Sequence, residues 1–399
     1  MISFSPSEDQ KLIQDTVRDL AAAQLRPRIR EAEAAGKLPD DVARSIHEMG
    51  LTTLSLPESC GGQGLALVTA VIAEEELAWG DAAAALAAPG PGAAAYALLE
   101  VGDDAQQRKW LLPFSGADGW KRRGALAWSE AGVFADGAMK TTARKDGTDW
   151  VLDGKKTFVV NGGIADVTVV VAQIDPAAGW RGLGAFVVAA DNPGLRAGNR
   201  QRTLGLDAVH FGEVVLESCR VPAAARLGDG DLTDRLGRVF ARMALAGAAR
   251  AVGLSRAAWE VTREYCETRQ AFGKPIGHFQ AVAFTLADRL MDVDSARWLV
   301  WKAASRWDGG TDARRDVAMA GAHAHEAAMR CADDSVQLHG GMGFMRDVPV
   351  EKMMRDAKTL ALVGPTVEML DQLAAAFDLG APLGPDLLLP TPDVQAVFT

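Results

Sequence analysis

Two short segments in the second half of the chain combine residue types that suit a large, phosphate-bearing ligand. An arginine presents a rigid fork of donors that matches a pyrophosphate, and a phenylalanine presents an apolar face. Glutamines make directional hydrogen bonds to phosphate or adenosine groups, and glycines let backbone N–H donors approach a bulky ligand. Alternatively, the arginine pairs with a surface carboxylate and the glycines only end a helix. The residues concerned are Arg269, Phe272, Gln280, Gln337, Gly340, Gly341 and Gly343.

These residues lie in the last of three stretches that differ in composition. In the first stretch apolar residues recur at helical spacing; Ser7 with Gln10 can cap the first helix, and Asp40 begins another. The middle stretch changes to short β-branched runs such as 167–172, separated by Gly, Asp and Asn, which favours β-strands. The third stretch is helical again, with long amphipathic segments such as 238–267. The predicted division is 1–115 for an N-terminal helical domain, 116–228 for a middle β-domain, 229–378 for a C-terminal helical bundle and 379–399 for a Pro-rich tail.

The overall charge and composition exclude several classes of function. A formal net charge of −10 argues against nucleic acid as a partner, and no apolar run is long enough to span a membrane. The N-terminal segment is polar and acidic and lacks the pattern of a signal peptide, so we expect a cytoplasmic protein. Cysteines without CxxC spacing indicate reduced, buried thiols. His323 and His325 lie two residues apart, on different faces of a helix, so no metal site is expected.

The order and spacing of several motifs resemble those of the acyl-CoA dehydrogenases. The resemblance is most specific in the C-terminal half, and it extends over nearly the whole chain. A lone Gly-Gly-x-Gly is a weak signal, whereas an ordered set of motifs is a strong one. The motifs are Tyr265–Gln280, Gln337–Phe344 and Arg355–Lys358 followed by Thr366, together with Ser129-Glu130, Gly154–Lys156 and Arg220–Pro222.

The resemblance implies a multi-domain α+β fold, with N-terminal helices, a middle β-sandwich or barrel-like domain and a C-terminal four-helix bundle. It also implies an acyl-CoA substrate, an FAD cofactor and an electron-transfer flavoprotein or similar acceptor. In the family, the ADP half of FAD contacts residues of a neighbouring subunit, so the cofactor site is built across a dimer interface. The implied cofactor contacts are Arg269, Phe272, Gln280, Gln337, Gly340, Gly341, Ser129, Phe158 and Thr366, and Arg242 is an implied substrate contact.

The residue that would act as catalytic base is missing from both of the family's usual positions. The family removes the α-proton of the thioester with a carboxylate while the β-hydrogen leaves as hydride to FAD. The resemblance places Gly364 where that Glu usually stands. Some members use a residue just before an arginine in an earlier helix; here the arginine is Arg242 and the preceding residue is Ala241. Glu368, one helical turn after Gly364, is the nearest substitute in sequence, and Asp234 is a less suitable one.

The β-domain also departs from the family pattern. The loop that usually reads Thr-Glu-Pro-Gly-x-Gly-Ser-Asp is two residues shorter here, at Ser129–Asp136, and lacks the Gly-Ser pair. The usual Trp-Ile-Thr beside the flavin appears as Phe158–Val160, which removes a hydroxyl able to bond the flavin's polar edge. Ser129 remains a candidate flavin partner. Family drift accounts for Phe158 alone more easily than for all of these changes together.

These departures favour one member of a hetero-oligomer over an independent enzyme. Residues that would reach a neighbour's FAD are retained, whereas those that would serve the chain's own flavin and substrate are eroded. This pattern resembles two-subunit acyl-CoA dehydrogenases that act on bulky, steroid-type CoA esters. Three alternatives stay open: a homotetramer with a relocated base such as Glu368, a flavin oxidase or monooxygenase on the same fold, and a structural subunit without a flavin role.

Overall fold

The N-terminal region folds into a group of helices whose ends follow the sequence signals. The computed structural model describes residues 5–131 and 139–380. The predicted capping box is confirmed: the Ser7 hydroxyl accepts from the Gln10 N–H, and the Gln10 side chain accepts from the Ser7 N–H at 2.9 Å. A helix begins at Asp40, as predicted. The helices are α1 (Glu8–Leu20), α2 (Ile29–Ala35), α3 (Asp40–Glu48), α4 (Leu67–Ala87), α5 (Gly92–Val101) and α6 (Asp104–Leu111).

A mixed sheet forms the middle region. Its strands follow the order β6-β7-β3-β2-β4-β5-β8, and β1 lies parallel to β4. β3 pairs with β7, and a register shift between Lys156 and Val159 forms a bulge. Because a bulge re-aims the side chain it contains, this one turns Phe158 out of the ladder. The strands are β1 (Gly124–Ala127), β2 (Thr142–Asp146), β3 (Asp149–Val160), β4 (Val167–Gln173), β5 (Leu183–Ala189), β6 (Leu195–Gln201), β7 (Phe211–Val221) and β8 (Arg226–Leu227).

The C-terminal region is a helical bundle built around one long helix, which packs against α4 and α5 of the N-terminal region. A two-stranded hairpin of β9 and β10 follows that helix. The three-part architecture predicted from the sequence is confirmed, whereas the expected tail at 379–399 lies almost entirely outside the described residues. None of the described helices is both long and apolar enough to span a bilayer. The elements are α7 (Thr233–Thr268), β9 (Gln270–Ala271), β10 (Lys274–Pro275), α8 (Gln280–Asp308), α9 (Arg314–Leu338), α10 (Val350–Leu360) and α11 (Val367–Leu379).

A buried charged triad joins the three regions. The Lys352 ammonium of α10 donates to Asp81 of α4 at 2.7 Å and to Asp356 at 2.6 Å. Asp356 also accepts from the backbone N–H of Leu206, which belongs to the β-domain. All three charged side chains are at most 3% exposed. Although burial alone lowers the pKa of Lys352, the two carboxylates outweigh it and hold that pKa above its usual value. The triad therefore fixes the relative placement of the walls of the site described below.

Candidate functional site

A cavity of about 170 Å³ lies where the three regions meet. Its walls come from α4 and α5, from β1 and β3 of the sheet, and from α7 and the turn between α10 and α11. Most of the lining is apolar, as expected for a pocket that holds an acyl group. Phe158 and Val160 enter this lining from the bulged end of β3.

Gly364, at the position expected for the catalytic base, lines this cavity from the α10–α11 turn. Its φ of +84° lies in the left-handed region, which suits glycine and strains other residues. A β-carbon added there would lie 3.4 Å from the terminal methyl carbon of Met243, which enters the cavity from α7. Gly364 and Met243 therefore form one end of the cavity, and neither side chain can accept a proton.

Ala241, the second position at which the sequence analysis looked for a base, does not face the cavity. Ala241 is fully buried and lies outside the cavity lining, whereas Met243 faces Gly364. Two residues along an α-helix correspond to a rotation of about 200°, so these side chains point to different sides of α7. Neither residue supplies a base, because alanine and methionine both lack a titratable group.

Arg242, expected to contact the substrate, is engaged elsewhere. Its guanidinium donates to Glu100 of α5 at 2.5 Å and lies over the ring of Trp307. Arg242 does not belong to the cavity lining. The expectation of a substrate contact is therefore not supported by the geometry.

The two substitute carboxylates proposed from the sequence also lie away from the cavity. Glu368 is exposed in the first turn of α11, where hydrogen bonds from its own backbone N–H and from Thr366 lower its pKa. Asp234 is exposed at the start of α7 and pairs with Arg314 at 2.7 Å. Neither residue contributes to the lining, so neither is placed to take a proton from a ligand there.

One carboxylate does reach the cavity, and the sequence analysis missed it. Glu74 of α4 lines the pocket and forms an ion pair with Arg250 of α7. Tyr96 of α5 joins them, and burial raises the pKa of its phenol, so the hydroxyl stays protonated. A helical pattern could have identified Arg250, because the α7 residues at 243, 246, 247 and 250 share one face. The pairing with Glu74 depends on how α4 packs against α7 and has no local signal.

The residues expected to contact a neighbour's cofactor are exposed on two segments, which the stacked rings of Tyr265 and His339 join at 4.3 Å. Arg269 is exposed and forms no salt bridge within the described part of the chain. Phe272, at the tip of the β9–β10 hairpin, is 96% exposed with a φ of +49°. A β-carbon added at Gly340 or Gly341 would have no neighbour within 4 Å. Gln280 and Gln337 are exposed as well.

This surface, called the cofactor-facing edge below, is predicted to contact one part of an FAD bound by a second subunit. It offers a free cationic fork, an exposed aromatic face and open backbone, which are the groups that a pyrophosphate and an adenosine require. Gly343, which the sequence analysis grouped with these glycines, has another role. A β-carbon there would lie 2.1 Å from the carbonyl oxygen of Val336, so its own chain requires glycine at this position.

On the sheet side of the cavity, a buried ion pair anchors the segment that carries Ser129. Lys156 of β3 donates to Glu130 at 2.6 Å and to the carbonyl of Trp128 at 3.1 Å. Burial, only partly offset by Glu130, lowers the pKa of Lys156 to about 8. Ser129 itself is half-buried. The shortened loop continues through residues 132–138, which lie outside the described part of the chain.

Two further cofactor contacts expected from the sequence have clear local roles. Phe158 is 60% exposed, its φ is +54°, and its backbone N–H donates to Gln201 at 2.7 Å. The exposed ring therefore presents an apolar face at the mouth of the cavity. Thr366 caps α11, where its hydroxyl accepts from the Met369 N–H. Whether either residue contacts the cofactor remains a prediction.

Comparison with known proteins covers almost the full length of the chain. The N-terminal, middle and C-terminal domains of acyl-CoA dehydrogenases match residues 7–117, 125–219 and 235–377. Rat mitochondrial short-chain specific acyl-CoA dehydrogenase is 32% identical over 371 residues, which are 91% of this chain and 88% of the relative.

Solved structures agree with the sequence comparison. Butyryl-CoA dehydrogenase from Megasphaera elsdenii superimposes with a TM-score of 0.89 at 29% identity, covering 95% of this chain and 100% of its own. A chain from a structure of the electron transferring flavoprotein of Acidaminococcus fermentans gives a TM-score of 0.90 at 29% identity, with the same coverage. The fold, the cavity between its three regions and these matches lead to one conclusion. The chain belongs to the acyl-CoA dehydrogenase family of FAD-dependent oxidoreductases.

Proposed function

We propose that this chain takes part in the α,β-dehydrogenation of an acyl-CoA thioester as the base-lacking subunit of a hetero-oligomer. In this role it completes the FAD site of a homologous acyl-CoA dehydrogenase subunit, which supplies the base. The observation that carries the proposal is the end of the cavity formed by Gly364 and Met243, where no described residue can take a proton. The α-carbon of a thioester is a weak acid, so an enzyme of this class needs a positioned base.

The cavity carboxylate Glu74 does not remove this difficulty. Arg250, its partner, lies seven residues after Met243 on α7, which corresponds to about 10 Å along the helix. A general base must lie within hydrogen-bond reach of the proton it removes, or reach it through one water. Glu74 therefore stands at the wrong end of the cavity for a thioester whose α-carbon lies beside Gly364.

The chain's own residues would contribute positioning and not proton transfer. When bound, FAD supplies the chemistry that accepts the β-hydrogen as hydride. The cofactor-facing edge would hold the pyrophosphate through Arg269 and cover the adenosine end with the ring of Phe272. Because both groups are exposed, few contacts within the chain have to break when a partner subunit docks. An electron-transfer flavoprotein or a similar carrier would reoxidise the flavin.

The cavity favours a compact acyl group over a steroid-type one. Its volume of about 170 Å³ is below the roughly 300–1,000 Å³ of pockets that hold drug-sized ligands. Removing the side chain at position 364 does not enlarge it greatly, because Met243 occupies the adjacent space.

Expression of the chain alone and together with its partner tests the proposal. The partner to use is the homologous acyl-CoA dehydrogenase encoded beside it. We expect the isolated chain to hold little flavin and to leave acyl-CoA unchanged. The complex should contain one FAD for each pair of unlike chains and form enoyl-CoA with a dye as electron acceptor.

A fully flavinated homomer that turns over an acyl-CoA would overturn the proposal. The Glu74→Gln variant of that homomer would then identify the base. Loss of turnover with FAD retained would assign the base to Glu74, and the same result with Glu368→Gln alone would assign it to Glu368. Consumption of oxygen without enoyl-CoA would indicate a flavin oxidase.

A further inference from the structure

Three consecutive glutamates of α4, Glu74, Glu75 and Glu76, have different surroundings. Two of them are bonded within the protein, and the third can bind a ligand. Glu75 accepts from Arg256 at 2.8 Å and from Arg297 at 3.0 Å, and its side chain is 3% exposed. Glu76 accepts from Arg256 and Arg18 and is 1% exposed. Buried ions of this kind have their hydrogen bonds satisfied by the protein, so they serve the packing of α4 against α7 and α8.

Glu74 is the exception among the three. Its only hydrogen bond within the described residues joins one carboxylate oxygen to Nε of Arg250. The side chains remain 19% and 14% exposed, and both line the cavity. In the same part of the chain the terminal nitrogens of Arg250 and the hydroxyl of Tyr96 have no hydrogen-bond partner. This cluster, the polar end of the cavity, thus presents a free acceptor and several free donors to whatever fills it.

The polar end is separated along α7 from the end of the cavity that Gly364 and Met243 form. Met243, Gly247 and Arg250 follow one face of α7, so the cavity runs along the helix for about 10 Å from Met243, which faces Gly364, to Arg250. A thioester with its α-carbon beside Gly364 would extend its acyl chain toward Glu74, Arg250 and Tyr96.

A buried histidine adds a second polar feature along this path. His325 of α9 is 2% exposed, and its Nδ1 has no hydrogen-bond partner within the described chain. Its Nε2 lies 3.3 Å from the place that a β-carbon at Gly247 would occupy. The imidazole therefore lies directly behind the gap in the cavity wall that Gly247 leaves.

We propose that the polar end is a specificity site for an acyl group that carries a hydroxyl on the part remote from the thioester. This inference rests on the proposed function only in assigning acyl thioesters to the cavity, and it does not depend on which subunit supplies the base. A hydroxyl donates to the free oxygen of Glu74 and accepts from Arg250 or Tyr96, so it satisfies both kinds of group.

Other acyl ends fit the polar end less well. A plain hydrocarbon end would cover these groups without bonding them, and burying unsatisfied polar groups is costly. A terminal carboxylate would face Glu74 as a like charge and would compete with it for Arg250. The rival interpretation is that the ion pair only closes the cavity and ties α4 to α7.

Calorimetric titration of the full-length chain tests the inference without any need for turnover. The probes are three saturated acyl-CoA thioesters of equal chain length that end in a methyl, a hydroxyl or a carboxylate group. We expect the hydroxyl-ended thioester to bind about tenfold more tightly than the methyl-ended one, as one additional hydrogen bond provides. Equal affinities, or tightest binding of the carboxylate, would overturn the assignment.

Substitutions then locate the preference. Arg250→Met should remove it, whereas Arg242→Met, which changes an arginine on the same helix outside the cavity, should preserve it. Since Arg250→Met leaves Glu74 without its partner, the double variant Glu74→Gln/Arg250→Met provides a neutral pair that folds without an uncompensated charge. A preference that survives in both variants would contradict the inference.

The titration and the flavin measurements fail independently. Flavin content and turnover report on the base-lacking role, and the titration reports only on the end of the acyl group. A catalytically competent homomer that prefers the hydroxyl-ended thioester would reject the base-lacking role and retain the specificity site.

Discussion

Charged groups on the cofactor-facing edge and at the buried junction of the three regions differ in the number of their partners. Arg269 is exposed and makes no ion pair within the described chain, although its backbone is fixed between α7 and β9. Lys352, in contrast, is 3% exposed and bonded to two carboxylates. An exposed group of this kind offers its hydrogen bonds to a ligand, whereas a satisfied buried group holds the fold together.

The cavity lies between these extremes. Glu74 and Arg250 are paired like interior charges, yet each keeps an open side toward the pocket. The comparison therefore separates the chain's charges by function. Removing a charged side chain whose hydrogen bonds are all made within the protein should lower stability. Removing one that still has unused hydrogen-bonding atoms should weaken ligand binding. Substitutions of Lys352 and Arg269 test this separation, and those of His325 and Glu368 extend it to a buried imidazole and an exposed carboxylate.

Lys352→Met should give the largest effect. It leaves Asp81 and Asp356 buried together without a cation, and breaking a buried ion pair in this way costs about 3–5 kcal/mol of unfolding free energy. Urea denaturation followed by tryptophan fluorescence measures this loss. Lys155→Met is the control, because Lys155 pairs with Glu213 at a half-exposed site where a surface pair is worth about 0–1 kcal/mol. Equal stability of the two variants would show that the junction does not hold the three regions together.

His325 should make stability depend on pH. Burial lowers its pKa to about 4, so the folded protein keeps it neutral while the unfolded chain binds a proton below about 6.5. The unfolded state therefore holds more protons between these values, and stability falls as the pH decreases from about 6.5 to 4, by up to about 3 kcal/mol. Comparison of urea midpoints for His325→Leu and the parent chain over this pH range gives the contribution of the imidazole to the pH dependence of stability. His323→Leu, at a half-exposed position bonded to Ser295, should retain the parental dependence.

The sequence predicts the fold better than the cavity, for physical reasons. The capping box at Ser7 and the helix start at Asp40 depend on neighbouring residues, so local chemistry is sufficient to predict them. The motif around Arg269 is also local, because one hairpin carries it. The cavity is different. Ala241 and Met243 point to different sides of α7, and motif spacing does not determine which of them faces the cavity.

The polar end of the cavity is even harder to predict from the sequence. Glu74 and Arg250 lie far apart in sequence, and their pairing requires α4 to pack against α7 in one register. Sequence alone does not distinguish Glu74 from Glu75 and Glu76, which adjoin it on the same helix. Only the folded structure shows that Glu75 and Glu76 are fully hydrogen-bonded within the protein, whereas Glu74 keeps an unused oxygen.

Arg269→Ala should affect the ligand and leave the fold intact. In the complex with the homologous subunit, loss of a charge-assisted hydrogen bond worth about 1.5–3 kcal/mol should weaken FAD retention by roughly 10- to 100-fold. The urea midpoint should change by no more than about 0.5 kcal/mol in free energy, because the residue is exposed. Arg263→Ala is the control, since Arg263 is an exposed arginine on the adjoining helix α7 that already pairs with Glu267. FAD retention that falls equally in both variants would point to general surface charge and not to a specific contact.

Glu368→Gln should give the smallest effect, and this result would discriminate between two kinds of enzyme. A relocated base predicts that the substitution abolishes dehydrogenation while FAD stays bound. The structure places the Glu368 carboxylate outside the cavity, at an exposed helix start where hydrogen bonds lower its pKa and weaken it as a base. Turnover by the complex should therefore stay within about twofold of the parent, and stability should change by less than about 0.5 kcal/mol. A loss of turnover without loss of FAD would mean that α11 moves this carboxylate into the cavity when the subunits associate, and the chain would then contain a base of its own.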